Sequence, residues 1–66
     1  MRGKIVRMQP KEGIGFIETR EEEEIIFDKL SLAGYDFKDF QIDDIVEFDI
    51  EEAAKGSRAV RIRKSI

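Results

Sequence analysis

Sixty-six residues suffice for one compact domain, read here as spanning residues 1–66, and leave no length for a second. The absence of cysteine excludes a disulfide framework and a thiolate metal site, so stability must come from packing and backbone pairing. Charged residues make up 41% of the chain and the net charge is −3, yet apolar residues recur regularly, which marks a folded chain and not a disordered one.

In chain order, residues 3–8 mix basic and apolar positions and stop at Pro10, the pattern of a first strand closed by a turn. Gly13-Ile14-Gly15-Phe16-Ile17-Glu18-Thr19 reads as a second strand pairing with the first, its glycines allowing a bulge, strong twist or close approach of another backbone. Glu21 to Glu24 carry four mutually repelling carboxylates without an apolar face, which predicts a solvated loop; nothing there has the spacing of an EF-hand calcium loop. Ile25-Ile26-Phe27 is a short third strand, and Leu30 to Ala33 form a helical turn stopped by Gly34.

Residues 34–43 are aromatic but aperiodic and read as a long ordered loop, with Phe40 expected to plug the barrel end and Phe37 placed either there or on the surface. Residues 45–51 and 59–63 alternate apolar residues with acidic and basic ones respectively, giving a fourth and a fifth strand joined by a turn at Lys55-Gly56-Ser57. Five short strands with a long third connection fit an all-β, five-stranded Greek-key barrel of the oligonucleotide-binding type.

Charge is segregated along this frame. Residues 1–11 hold four cations and no acid, residues 12–54 hold all fifteen acids against three cations, and residues 55–66 hold five cations and no acid. Such asymmetry can make a local positive surface for phosphates on an acidic protein, although the same charges also serve to solvate outer strand faces. The N-terminal residues lack a secretory leader and no apolar run reaches the roughly 18–20 residues a membrane helix needs, so a cytoplasmic location is expected.

Gly3-Lys4-Ile5-Val6, Gly13 to Ile17, Gly34 to Lys38 and Lys55 to Ala59 together resemble, in order and over essentially the whole chain, the bacterial cold-shock domain. The resemblance implies a barrel that binds single-stranded RNA or DNA through aromatic side chains on strands two and three. Its binding motifs are only partly kept. The family pattern Lys-Gly-Phe-Gly-Phe-Ile stands here as Glu12-Gly13-Ile14-Gly15-Phe16-Ile17, and Val-Phe-Val-His-Phe stands as Ile25-Ile26-Phe27-Asp28-Lys29. Phe27 falls on a core-facing position of that pattern. The family's first-strand Trp-Phe pair is Arg7-Met8, while its loop Phe-Lys is kept as Phe37-Lys38.

The residues so assigned to nucleic acid are Phe16, Phe37, Lys38, Arg7, Met8, Ile14, Lys29, Lys11, Lys4 and Lys55, with Glu12 and Asp28 opposing the phosphates. Each missing stacking ring removes about 1–3 kcal/mol per base, so binding is expected to be weak, salt-dependent and largely non-sequence-specific. The alternative is a degenerate barrel that turns Met8, Ile14 and Ile26 toward a protein partner. No cofactor or metal is implied, and a monomer is expected. Without histidine or cysteine, and with hydroxyls only at Ser31, Ser57, Ser65, Thr19 and Tyr35, no activated nucleophile is evident and an enzyme is not expected.

Overall fold

The computed structural model describes residues 1–65, so the last residue of the expected domain lies outside them. Pro10, which has no N–H to donate to a ladder, ends β1 (Arg2–Gln9). The chain reverses over 10–13, where the Gln9 carbonyl accepts from the amides of Glu12 (3.1 Å) and Gly13 (3.0 Å). Gly13 sits at φ +68°, the left-handed conformation that a residue with a Cβ adopts only at a cost. β2 (Ile14–Glu18) then pairs antiparallel with β1, and β3 (Glu24–Asp28) pairs antiparallel with β2. The acidic run turns between them with all four carboxylates exposed, although Glu24 itself already belongs to β3.

Asp28 accepts hydrogen bonds from the Leu30 amide (2.9 Å) and the Ser31 hydroxyl (3.2 Å), so it caps a 3₁₀ turn at Lys29–Ser31, slightly earlier than the turn expected at 30–33. A second 3₁₀ turn covers Phe37–Asp39 within the long connection. That connection carries the chain past the place of β5 (Gly56–Lys64) and starts β4 (Ile45–Ala53) beside β1. The strand order β1-β2-β3-β5-β4 closes on itself, with β3 and β5 parallel and the other pairs antiparallel. Closure gives every strand a neighbour on both sides, although β3 and β5 meet at a single residue pair, Ile26 with Arg58.

The interior is filled by Ile5, Ile17, Ile25, Phe27, Phe40, Val46, Phe48, Ala59 and Ile62. Phe40 plugs the structure as expected, 4% exposed and edge-on to Tyr35 at 5.3 Å. Phe37 is half-buried and packs on Phe27 at 6.0 Å between ring centroids. At Gly15 a side chain and a backbone both come close: a Cβ there would lie 2.5 Å from Phe27 Cζ and 3.2 Å from the Arg7 carbonyl oxygen.

Two bulges adjust the closed sheet. In β1, Ile5 pairs with Ile17 and Arg7 with Phe16, which leaves Val6 as an extra residue. In β5, Val60 pairs with Asp49 and Arg63 with Glu47, so Arg61 and Ile62 together oppose Phe48, with Arg61 at φ +51°. An extra residue inverts the facing of every residue after it.

Candidate nucleic-acid interface

The Val6 bulge decides what the outer face of β1 displays. Ile5 points inward, and strict alternation would also turn Arg7 inward; the extra residue sends Arg7 outward and Met8 inward instead. Met8, assigned to the binding face from the sequence, is therefore corrected: it packs against the core cluster opposite buried Gly15. Two successive residues of one strand cannot share a face without a second irregularity.

Register then lays out three rows across β1, β2 and β3. Gln9, Ile14 and Asp28 form one, Arg7, Phe16 and Ile26 the next, and Lys4, Glu18 and Glu24 the third. The middle row continues to β5, because Ile26 pairs with Arg58. Its centre is Phe16, half-buried, with Ile26 39% exposed beside it.

Arg7 does not project freely into solvent. Its guanidinium carbon stands 4.3 Å from the centroid of the Phe16 ring, and its Nη2 lies 3.0 Å from Glu24 Oε1. Cation–π contact at an exposed site is worth about 0.5–1 kcal/mol, and an exposed ion pair contributes about 0.2–1 kcal/mol. Glu24 was not among the residues singled out from the sequence, since four identical neighbours give no sign of which one the strand register will place on this face.

The remaining assigned residues divide by location. Lys29 lies at the end of the first row, its stem over Gly13, where a Cβ would stand 3.1 Å from Lys29 Cδ, and its amide bonded to the Gly13 carbonyl at 2.9 Å. Lys11 is exposed in the turn next to it. Lys4 is exposed in the third row, directly opposite Glu18. Lys55 is at the tip of the β4–β5 hairpin, where it, Ala53, Ala54, Ser57, Arg58 and Ile26 line a mainly apolar cleft of about 370 Å³. This hairpin places Lys55 at the β5 side of the middle row. Lys38 is exposed on the second 3₁₀ turn, and Phe37 beside it is committed to Phe27. Glu12 is exposed in the first turn, whereas the Asp28 carboxylate is occupied as a cap.

Four other cations are neutralised or partly so. Arg2 pairs with Glu47, Arg58 with Glu51, Arg61 with Asp49 and Lys64 with Asp44, in addition to the Arg7–Glu24 pair. Among the described residues, Lys4, Lys11, Lys29, Lys38 and Lys55, the lysines assigned from the sequence, have no carboxylate within 4.0 Å. The Arg61 hydrogen bond holds the Asp49 carboxyl below its ordinary value.

A closed five-stranded barrel with an aromatic ring and an arginine at the centre of its β1–β3 face is an oligonucleotide-binding barrel. The 'Cold-shock' DNA-binding domain matches residues 1–65, and a cold shock-like protein of Thermotoga maritima is 32% identical over 63 residues, 96% of each chain. The chain belongs to the cold-shock domain family, a nucleic-acid-binding and non-enzymatic family. Among the described residues, no helix is long and apolar enough to cross a membrane.

Proposed function

We propose that this barrel binds single-stranded nucleic acid weakly and with little base preference, across the face formed by Arg7, Phe16, Ile14 and Ile26 and edged by Lys4, Lys11, Lys29 and Lys55. The row Arg7–Phe16–Ile26 carries the reading: one ring for a base to stack on, one guanidinium beside it, and an aliphatic neighbour where a second ring would add stacking. Stacking is tolerant of base identity because every base has a π-face, and the lysines around the row contact phosphates without reading sequence. Phe37 and Lys38 extend the surface from the long connection, with Phe37 limited by its packing on Phe27.

The test is fluorescence anisotropy of labelled single-stranded DNA and RNA, pyrimidine-rich and purine-rich, at low and at physiological salt. Binding at low salt that fades as salt rises supports the proposal, as does a loss of about tenfold on Phe16→Ala with the fold intact, the scale of one lost stacking platform. A folded protein that binds none of these strands at either salt overturns it. The exposed aliphatic surface of Ile26 and the adjoining hairpin cleft then favours the second reading, a protein-contact barrel.

A further inference from the structure

Arg7 belongs to β1 and Glu24 to β3, with β2 between them. Adjacent strands are about 4.8 Å apart, so the pair spans roughly 10 Å across the middle strand. The arginine side chain can make that span only by lying along the sheet, and Phe16 is the residue it crosses. The ion pair and the ring contact are thus one arrangement: Glu24 holds the guanidinium where it covers the platform. Glu24 also stands opposite Glu18, and like charges at directly paired positions repel. Arg7 relieves that repulsion, which is a reason for this glutamate, and not its neighbours in the turn, to engage it.

We infer that Glu24 sets the affinity of the face by occupying, on Arg7, the place of a backbone phosphate. This inference rests on the nucleic-acid reading above. A guanidinium fork accepts a carboxylate or a phosphate in the same way, through paired N–H donors. Both side chains of the pair are accessible, 57% exposed for Arg7 and 45% for Glu24, so an incoming strand reaches the pair without opening the barrel. Binding exchanges the carboxylate for a phosphate oxygen, swings Arg7 off Phe16 and opens the ring to a base. Until that exchange, the covered face of Phe16 is closed to stacking. Glu24 is in this sense a specificity-determining residue: it selects for ligands that offer an anion and a flat ring together, and against either alone.

The experiment compares Glu24→Gln with Glu23→Gln, using labelled oligothymidylate in anisotropy titrations at low salt. Both variants remove one negative charge from the same exposed segment, but only Glu24 holds Arg7. Glu24→Gln is expected to tighten binding about two- to fivefold, the scale of one exposed ion pair, and Glu23→Gln clearly less. In the free proteins, the Arg7 Nε–H proton is expected to lie upfield in the wild type because the guanidinium stands over the Phe16 ring, to move downfield in Glu24→Gln and to stay in Glu23→Gln. Equal gains from the two variants overturn the inference while leaving the nucleic-acid reading in place. Absence of binding by the folded wild type and both variants overturns that reading, and this inference with it.

Discussion

At Gly15 the Phe27 ring occupies the volume that any side chain would need. A Cβ there meets Phe27 Cζ at 2.5 Å and Cε1 at 2.7 Å, and the ring, 1% exposed, has nowhere to move. Overpacking of this kind costs about 1–3 kcal/mol, so Gly15→Ala is expected to lower the thermal midpoint by roughly 5–20 °C for a domain of this size, read by circular dichroism. Phe16→Ala, one position along on the opposite face, is expected to leave the midpoint nearly unchanged, since its ring is half-exposed. Asp49 offers a residue-scale test in pH. Its folded-state carboxyl value is lowered, chiefly by the hydrogen bond from Arg61 Nε at 2.7 Å. A lowered folded value means that the contribution is present above the unfolded carboxylate value and is lost as pH falls through the lowered one. In a carbon-13 titration, Arg61→Ala is expected to move the Asp49 midpoint up toward the ordinary carboxylate range; an unchanged midpoint would remove Arg61 as the cause.

The bulges show which features of the elements can be read from a sequence. All five strands and the long connection follow from period-two alternation, from Pro10, and from glycines at turns, because those signals are local. A bulge is not local: whether Val6 or Arg61 is an extra residue depends on how many residues the partner strand places opposite. For that reason the sequence puts Met8 on the outer face although it packs against the core, and Glu24 becomes visible only through the β2–β3 register, while the roles proposed for Arg7 and Phe16 come from the family resemblance. The 3₁₀ turn began early for a similar reason, since Asp28 ends a strand and caps the turn with one carboxylate. The β5 bulge is testable through its backbone. Arg61 sits at φ +51°, where a Cβ costs about 1–2 kcal/mol and glycine pays nothing. Arg61→Gly and Arg61→Ala both lose the Asp49 pair, so their difference isolates the backbone term. Arg61→Gly is expected to be the more stable of the two by about 1 kcal/mol in urea unfolding. If the alanine variant is as stable, Arg61 does not hold that conformation in solution.

On the scale of the whole molecule, a net charge of −3 and a phosphate-binding role are compatible only if the charges are sorted in space. The barrel sorts them by pairing. Acids of β4 take Arg58 and Arg61 of β5 and Arg2 of β1, which removes those arginines from competition for phosphate, while among the described residues the lysines beside the Phe16 row have no carboxylate within 4.0 Å. The nearby acids Glu12, Glu18 and Glu24 then limit how many phosphates the face can hold at once. Of the five cations around the row, about three net phosphate contacts are expected to survive this opposition. Each phosphate neutralised on a single strand contributes about −0.7 to the slope of log K against log salt, so the expected slope is about −2. The slope is measurable from anisotropy titrations at several salt concentrations, and it should become shallower by roughly one contact in Lys29→Gln. A slope near zero with binding retained would mean that the strand is held by stacking and apolar contact alone. A slope much steeper than −4 would require more phosphate contacts than the row and its lysines provide, and would move the binding path toward the β5 arginines, whose partners would have to release them.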